Sequence, residues 1–254
     1  MSGRAVVTGA SGGVGRALCA ALAERGVSVL ALGQDMARLA ACEAGDPKGR
    51  IEGLAADLTD ERGRESVRER IKTWGRIRFL VHSAAVIDPI AQIELLEPAA
   101  FRRAYAINVE APLFLTKGLL DSFEPGGGRI LHLSSGAAHT PVAGCLAYCS
   151  SKAAFHMIYR VLQLELSKRR IRVGSASPGS VDTEMQRTLR ESDPSQLVSV
   201  ERFREIKQKG GLIEPDRAAR FLSWLLTESE DALFAERDWN IADAELERLW
   251  DDLR

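Results

Sequence analysis

The stretch "TGASGGVG" (residues 8–15) links a short apolar run, "RAVVTG" (4–9), to a helical pattern over 14–25. Glycines at such a junction allow a tight turn and let the backbone approach a pyrophosphate, which then lies at the helix N-terminus. The spacing here is Gly9-x-x-x-Gly13-x-Gly15 rather than GxGxxG. At the first strand–helix junction of an alternating chain, this turn favours nucleotide binding over a plain turn.

Apolar runs of strand type alternate with amphipathic stretches along the chain. Such runs, bounded by turn residues, are typical of parallel strands buried on both faces. Alternation of this kind implies right-handed crossovers, so the sequence predicts one doubly wound α/β domain over 1–254, with a parallel seven-stranded sheet flanked by helices. The predicted strands are 4–9, 27–32, 51–56, 77–83, 129–135, 171–177 and 238–243, and the predicted helices are 14–25, 35–44, 60–73, 97–122, 146–169 and 215–227.

Two segments depart from this alternation. Residues 179–213 form a long polar stretch without a strand pattern, and an insertion of that length in an α/β domain is usually a substrate loop or lid. The last residues, 244–254 ("AELERLWDDLR"), read as an amphipathic helical tail. We expect this tail to pack against the domain.

Composition excludes several classes of function. The 254 residues carry a net charge of -1, which gives no electrostatic case for nucleic acid or an anionic membrane as partner. The sequence has no uninterrupted stretch of 18 apolar residues, so it predicts no membrane span, and the N-terminus has no signal-peptide pattern. The cysteines and three of the histidines show no metal-ligand or disulfide spacing, so we expect a reduced cytoplasmic protein without a metal site. These residues are Cys19, Cys42, Cys145, Cys149, His132, His139 and His156.

A tyrosine and a lysine lie four positions apart in "AYCSSKAAF" (147–155), on one face of a predicted helix. Alone, Tyr148 and Lys152 are an ordinary surface pair. Ser135, however, ends the fifth predicted strand thirteen residues earlier, at the edge where ligands bind in such sheets. Asp57 ends the third strand, where it caps the next helix or accepts a hydrogen bond from an adenine amine.

The order and spacing of these motifs resemble the short-chain dehydrogenase/reductase family over essentially the whole chain. Within that family, "AYCSSKAAFHMIYRVLQLEL" and "PGSVDTEMQ" are most similar to sepiapterin reductases, as is "IKQKGGL". The motifs that carry the family resemblance are "TGASGGVG", "ADL" (56–58), Asn108 in "INVEAPLFLT", Ser135, Tyr148-x-x-x-Lys152 and "PGSVDT" (178–183).

The resemblance implies a Rossmann-type domain that reduces a ketone or diketone of a small polar molecule with NADP(H). One alternative is a short-chain reductase of another substrate class, such as benzil-type diketones, steroids, sugars or acyl chains. Another alternative is a non-catalytic nucleotide-sensing protein on the same fold. The expected partner is a small carbonyl compound.

The chemistry of carbonyl reduction assigns a role to each catalytic candidate. A tyrosine of unperturbed pKa near ~10 exchanges protons poorly at neutrality, and an adjacent ammonium with an oxidised nicotinamide would lower that pKa. Tyr148 is therefore the predicted general acid, and Lys152 is predicted to lower its pKa. The family resemblance implies that Lys152 also binds the nicotinamide ribose, Ser135 bonds the substrate oxygen, and Asn108 holds a water that links Lys152 to solvent.

The resemblance also implies where the cofactor lies. A dehydrogenase that prefers NAD usually has an acid at the end of its second strand, and here Gly33 and then Gln34 stand there. NADP is therefore favoured, with NAD as the alternative, and Arg16 or Arg38 would supply missing positive charge. The predicted cofactor contacts are Thr8, Gly9, Ser11, Gly12, Gly13, Val14, Gly15, Gln34, Asp57, Leu58, Ser83, Ala84, Lys152, Pro178, Val181 and Thr183.

Three further expectations concern departures from the family, the substrate and assembly. His82-Ser83-Ala84-Ala85 replaces the usual NNAG, and His82 is predicted to be a packed histidine.

The predicted substrate contacts are Ser135, Tyr148, Gly179 and Asn240, and His139 is expected to border the pocket. An ungapped match puts Asn240 where sepiapterin reductases hold the pterin with a carboxylate, and a slip of one or two residues puts Asp238 or Asp243 there. Helices 97–122 and 146–169 commonly pair across a two-fold axis in this family, so we expect a homodimer or homotetramer.

Overall fold

Seven parallel strands form one sheet in the computed structural model, which describes residues 3–251. The strand order is β3-β2-β1-β4-β5-β6-β7, so the order reverses between β1 and β4 and opens a crevice at their carboxyl ends. The predicted doubly wound α/β fold is confirmed. The strands are β1 (Gly3–Thr8), β2 (Val27–Gly33), β3 (Ile51–Ala55), β4 (Phe79–His82), β5 (Gly128–Leu133), β6 (Ile171–Ser177) and β7 (Asp238–Asn240).

Helices cover both faces of this sheet. One hydrophobic cluster packs between the sheet and helices that include α1 and α9, and a second packs between the sheet and helices that include α3, α5 and α6. The helices are α1 (Gly13–Glu24), α2 (Met36–Ala44), α3 (Glu61–Trp74), α4 (Pro98–Tyr105), α5 (Ala111–Leu119), α6 (Leu146–Leu166), α7 (Glu184–Glu191), α8 (Val200–Gln208), α9 (Pro215–Thr227), α10 (Asp231–Glu236) and α11 (Ala244–Trp250).

The predicted helix 97–122 is interrupted. A π-helical turn, Ala106–Glu110, separates α4 from α5, and a 3₁₀ turn follows over Leu120–Ser122. Pro112 has no N–H, so it cannot donate the α-helical bond to the carbonyl of Asn108 four residues earlier. A π-turn absorbs this defect, and such turns are frequent at functional sites.

The stretch 179–213, predicted as a loop or lid, contains two helices, α7 and α8. Its polar composition hides their amphipathic pattern. Strand β7 also ends at Asn240 rather than at residue 243. There the Ala242 N–H donates to Asn240 Oδ1 at 3.0 Å and the Asn240 N–H donates to Asp243 Oδ2 at 2.8 Å, which closes a turn.

The C-terminal tail packs against α9 as predicted, as far as residue 251. Trp250 of α11 is buried against Phe221, with ring centroids 5.4 Å apart, and Arg217 pairs with Glu247 at 2.6 Å. Residues 252–254 lie outside the described part of the chain. Across residues 3–251, no helix combines the length and apolar character that crossing a membrane requires.

Candidate active site

The glycine turn after β1 brings three distant segments together. Gly9 has a φ of +67°, and a Cβ there would lie 2.7 Å from the Ala84 backbone. A Cβ on Gly13 would lie 2.7 Å from Thr183 Cγ2, and one on Gly15 would overlap the carbonyl of Gly9. Each glycine is therefore required by close packing at the junction of β1, the residues after β4 and "PGSVDT".

Thr8 joins the ends of β1 and β4. Its Oγ1 accepts hydrogen bonds from the N–H groups of Ser83 and Ala84, each at 3.1 Å. His82 lies inside the core, where its Nε2 is 2.8 Å from Thr116 Oγ1 and burial lowers its pKa to about 3. The prediction that His82 is a packed histidine is confirmed.

The N-terminus of α1 suits an anion. Gly12 caps the helix without a side-chain hydrogen bond, and the first turn has no acidic residue. The first N–H groups of a helix lack partners within it and lie at the positive end of its dipole. The residues present therefore fit the diphosphate of a dinucleotide.

The sequence left open whether Asp57 caps the helix after β3 or meets an adenine. Asp60 caps α3, because its Oδ1 accepts from the Gly63 N–H at 2.7 Å. Asp57 accepts from the hydroxyl and N–H of Thr59, at 2.7 and 2.9 Å, and these bonds lower the pKa of its carboxyl group. The Gln34 amide also lowers the pKa of this carboxyl group, so Gln34 and Asp57 lie near each other.

The surroundings of Gln34 contain both signs of charge. A Cβ on Gly33 would lie 3.0 Å from Ser11 Oγ, which places the end of β2 beside the glycine turn. Asp35 caps α2 through the Ala37 and Arg38 N–H groups, and the Arg38 guanidinium lies 3.6 Å from its carboxylate. Arg16 is exposed on the first turns of α1 and makes no ion pair within residues 3–251.

Three of the four predicted catalytic side chains lie together at the carboxyl end of β5. Ser135 caps a 3₁₀ turn, Gly136–Ala138, and its Oγ accepts from the Ala137 N–H at 3.2 Å. Tyr148 and Lys152 are buried one turn apart on α6, with the Lys152 Nζ 5.7 Å from the centroid of the Tyr148 ring. The Lys152 ammonium donates to the carbonyl of Leu133 at 2.8 Å, which ties α6 to β5.

Burial dominates the proton affinities of this pair. It raises the pKa of Tyr148 to about 12, partly opposed by hydrogen bonding with Ser135. It lowers the pKa of Lys152 to about 8, partly opposed by the negative charge of Asp238. The sequence predicted that Lys152, together with an oxidised nicotinamide, lowers the pKa of Tyr148, whereas in the protein alone burial raises it. Tyr148 is therefore a neutral phenol at pH 7, with its proton in place.

Asn108 lies in the π-turn, and its side chain is fully engaged. Its Oδ1 accepts from the Val86 N–H at 2.9 Å, and its Nδ2 donates to the Val86 carbonyl at 2.9 Å and to Ser151 Oγ at 3.0 Å. Asn108 therefore joins the segment after β4 to α6, a contact that no local pattern predicts. Its role in holding a water stays a prediction.

Helices α7 and α8 cover Tyr148 with apolar side chains. Gln196, between them, ties this cover to the segment after β4, because its carbonyl accepts from Gln92 Nε2 at 2.8 Å. The Tyr148 ring therefore lies in an apolar environment. The buried residues clustered with Tyr148 are Ile87, Cys145, Leu189, Leu197 and Val200, and the partly buried ones include Met185 and Phe203.

The motif "PGSVDT" leads from β6 to α7 along the glycine turn. Gly179 has a φ of +75°, and a Cβ there would lie 2.6 Å from Ile213 Cδ1. Val181 is buried, and Thr183 Oγ1 donates to its carbonyl at 3.2 Å. Pro178, Val181 and Thr183 thus follow the edge of the crevice where the nicotinamide was predicted.

Of the three C-terminal candidates for the substrate site, Asp238 is the one that bonds to the neighbour of Ser135 in the chain, Ser134. Its Oδ2 accepts from Ser134 Oγ at 2.7 Å and lies 2.9 Å from His139 Nε2. The side chains of Asn240 and Asp243 instead accept hydrogen bonds from backbone N–H groups within the turn at the end of β7. Sequence spacing gave no sign that His139 and Asp238 meet, because they are 99 residues apart.

The fold and this site define an oxidoreductase of a known class, and comparisons with known proteins agree. The model of the family described as short chain dehydrogenase matches residues 4–194, so the chain belongs to the short-chain dehydrogenase/reductase family.

Individual relatives include reductases. A benzil reductase ((S)-benzoin forming) of Bacillus subtilis (strain 168) is 30% identical over 230 residues, which cover 87% of this chain and 92% of the relative. The sepiapterin reductase of Bos taurus is 33% identical over 240 residues, which cover 87% of this chain and 88% of the relative. The crystal structure of the KRED1-Pglu enzyme superposes with a TM-score of 0.86 at 30% identity, covering 93% of this chain and 99% of that one.

Proposed function

We propose that this protein reduces a ketone or diketone carbonyl with NADPH. The observation that carries the proposal is the buried Tyr148, which lies near Ser135 and Lys152 beneath an apolar cover and whose pKa burial raises to about 12. A proton donor in a dry site next to an ammonium is what a carbonyl oxygen requires when it gains negative charge.

Each residue has a task in this reaction. The reduced nicotinamide, when bound, supplies the hydride. Ser135 Oγ and the Tyr148 hydroxyl donate to the carbonyl oxygen, and Tyr148 passes its proton to that oxygen. The phenolate left on Tyr148 is stabilised by the Lys152 ammonium, and Asn108 connects Lys152 to solvent through a water.

The cofactor contacts proposed here are those that the family resemblance implies. The turn 9–15 holds the diphosphate at the N-terminus of α1, and Asp57 with Leu58 borders the adenine. Lys152 binds the nicotinamide ribose, while Val181 and Thr183 meet the nicotinamide amide. Gly13 packs against Thr183, so the diphosphate and amide segments lie next to each other.

The cover over Tyr148 bears on the substrate. Leu189, Leu197 and Val200 favour an aryl or alkyl diketone, and the bacterial benzil reductase is a relative of that kind. The sepiapterin-like alternative requires a polar anchor for the pterin, and Asp238 already accepts from Ser134.

An assay of NADPH consumption with benzil, sepiapterin and simple ketones tests the proposal. We expect turnover with benzil at a higher kcat/KM than with sepiapterin, whereas tight NADPH binding with no turnover of any carbonyl supports the nucleotide-sensing alternative.

Gln34 is expected to give a modest preference for NADPH over NADH. It donates hydrogen bonds but brings no charge to a 2′-phosphate, and nearby Asp35 is turned into the cap of α2. The preference should be about ten- to thirtyfold in kcat/KM, or on the order of 1–2 kcal/mol. Gln34→Arg should widen the ratio, because a guanidinium fork suits phosphate, and Gln34→Glu should narrow or reverse it. A preference for NADH in the wild type, or a ratio unmoved by arginine, contradicts the placement of Gln34 beside the ribose.

Reduction should fall as the pH rises through about 8. Burial holds the folded-state pKa of Lys152 near that value, so the ammonium that supports proton transfer is present below pH 8 and lost above it. Asp238→Asn removes a charge that raises this pKa, so the falling limb of kcat/KM should move to lower pH. The pH profiles of kcat/KM for the wild type and for Asp238→Asn, measured in buffer with EDTA, check this shift. If kcat/KM falls at the same pH in both proteins, the titrating group is not Lys152.

We also propose that two copies of the chain pair through α6. Three apolar side chains at helical spacing, Met157, Val161 and Leu164, are 55%, 43% and 78% exposed. Such a stripe is what a symmetric helix pair would bury. Light scattering at micromolar concentration should report a dimer or tetramer, and Val161→Asp with Leu164→Asp should halve the mass. Lys168→Asp, at the end of the helix, is the charge control. A monomeric wild type contradicts this assembly.

A further inference from the structure

Two histidines and an aspartate converge between the loop after β5, helix α6 and strand β7. Their ligand atoms, one from each of His139, His156 and Asp238, lie within 4.8 Å of one another. None of the three residues takes a chemical step in the reduction proposed above, in which Asp238 only raises the pKa of Lys152 through its charge. The cluster lies one helical turn from Lys152 along α6.

The distances suit coordination to a common ion. His139 Nε2 lies 2.9 Å and His156 Nδ1 lies 3.5 Å from Asp238 Oδ2. Ligands bound to zinc at ~2.0–2.1 Å in a tetrahedron are separated by ~3.3 Å, which falls between these values. The two imidazole rings are in edge contact, with their centroids 4.5 Å apart and their planes at 84°.

Two of the atoms lack a partner. Asp238 Oδ1 and His156 Nδ1 are buried without a hydrogen bond from any residue in the range 3–251. An imidazole nitrogen buried without a partner is destabilising, and a cation coordinated by His156 Nδ1 would satisfy it. Ser134 donates to Asp238 Oδ2 at 2.7 Å, an outer contact of the kind that orients a carboxylate ligand.

The site is open on one side. The side chains of Asp238 and His156 are 12% and 19% exposed, whereas that of His139 is 50% exposed. An ion therefore has a path from solvent past His139, and a water can complete its coordination.

We propose that His139, His156 and Asp238 bind one divalent transition-metal ion of the Zn²⁺ type. Two imidazoles and a carboxylate favour zinc and its first-row neighbours over Mg²⁺ and Ca²⁺, which prefer oxygen ligands. The ion links the loop that follows Ser135 to α6 and β7, and so stabilises the fold around the catalytic serine.

Calorimetry on the full chain, stripped with EDTA and dialysed, tests this site with ZnCl₂ and with MgCl₂. We expect one Zn²⁺ per chain at micromolar Kd or tighter, and no binding of Mg²⁺. At hundredfold excess over Kd, zinc should raise the Tm by about 5 °C or more. Bound Co²⁺ should show the visible absorption of a tetrahedral site.

Variants separate this site from other ligands. His139→Ala changes a half-exposed side chain and should weaken zinc binding at least tenfold, and His156→Gln should do the same. Cys149→Ser, which removes a partly exposed thiol on the same helix, should bind zinc like the wild type. Tyr148→Phe should also bind zinc, since the site does not depend on the reductase function. Absence of stoichiometric zinc binding, or zinc affinity equal to that of the wild type in both histidine variants, overturns the proposal.

Discussion

Tyr148→Phe is expected to lower turnover at least ~10²-fold, the usual contribution of a general acid, while the fold and NADPH affinity are kept. The phenol is the proton source nearest to the substrate oxygen in this account, and burial holds its pKa at about 12. Phenylalanine fills the same space without the hydroxyl, so the apolar cover formed by α7 and α8 stays in contact with the ring. Steady-state kinetics with NADPH and a diketone measures the loss.

Tyr159→Phe is the matched control. Tyr159 lies on the same helix, is 3% exposed, and has a pKa raised to about 12 by the same cause, burial. It packs in the second hydrophobic cluster, away from Ser135, so its hydroxyl should not affect turnover. Near wild-type turnover in Tyr148→Phe, or an equal loss in both variants, contradicts the assignment of the general acid.

Gly15→Ala should weaken NADPH binding at least tenfold, or by about 1.4 kcal/mol. The added methyl group would overlap the Gly9 carbonyl and lie 3.1 Å from the Ala10 Cα, so the turn must move away from α1. Overpacking of this kind typically costs about 1–3 kcal/mol, so the Tm should fall as well. Fluorescence titration with NADPH and a thermal melt measure the two effects.

Gly126→Ala provides the comparison, because a Cβ there meets nothing within 4 Å. That variant should keep the affinity for NADPH and the Tm of the wild type. Should Gly15→Ala bind NADPH as tightly as Gly126→Ala does, the turn 9–15 is not the site of the diphosphate.

Most of the fold could be predicted from local patterns. Strands such as β1 and β6 are short apolar runs between turn residues, and α9 was predicted at its observed bounds, 215–227. The glycines of the first turn were informative because only a residue without a Cβ fits between β1 and α1. The break at Ala106–Glu110 was missed, although Pro112 could have signalled it.

The candidate site was predictable where it depends on spacing and not where it depends on packing. Tyr148 and Lys152 share a helix face, so their proximity follows from the sequence. The contact of Asn108 with Ser151, and the meeting of His139 and His156 with Asp238, join elements that are distant along the chain. No periodicity encodes such contacts, because they arise only when the sheet order brings β5, α6 and β7 together.

Proton affinities could not be predicted for the same reason. The sequence alone indicated that Lys152, together with an oxidised nicotinamide, is the dominant influence on the pKa of Tyr148. The amphipathic pattern of α7 and α8 lies hidden in a polar stretch, so the sequence did not show how completely they cover the phenol. Burial by these helices sets the direction of the pKa shift.

Hydride transfer from NADPH to a carbonyl carbon, with Tyr148 as proton donor, can be followed with NADPH deuterated at both C4 positions. Mass spectrometry of the alcohols formed from benzil and from sepiapterin measures the transfer. We expect one deuterium on the new carbinol carbon of the product, with its yield reduced to about 1% in Tyr148→Phe. A chain that binds NADPH tightly yet leaves both carbonyl compounds unlabelled and unreduced would contradict it.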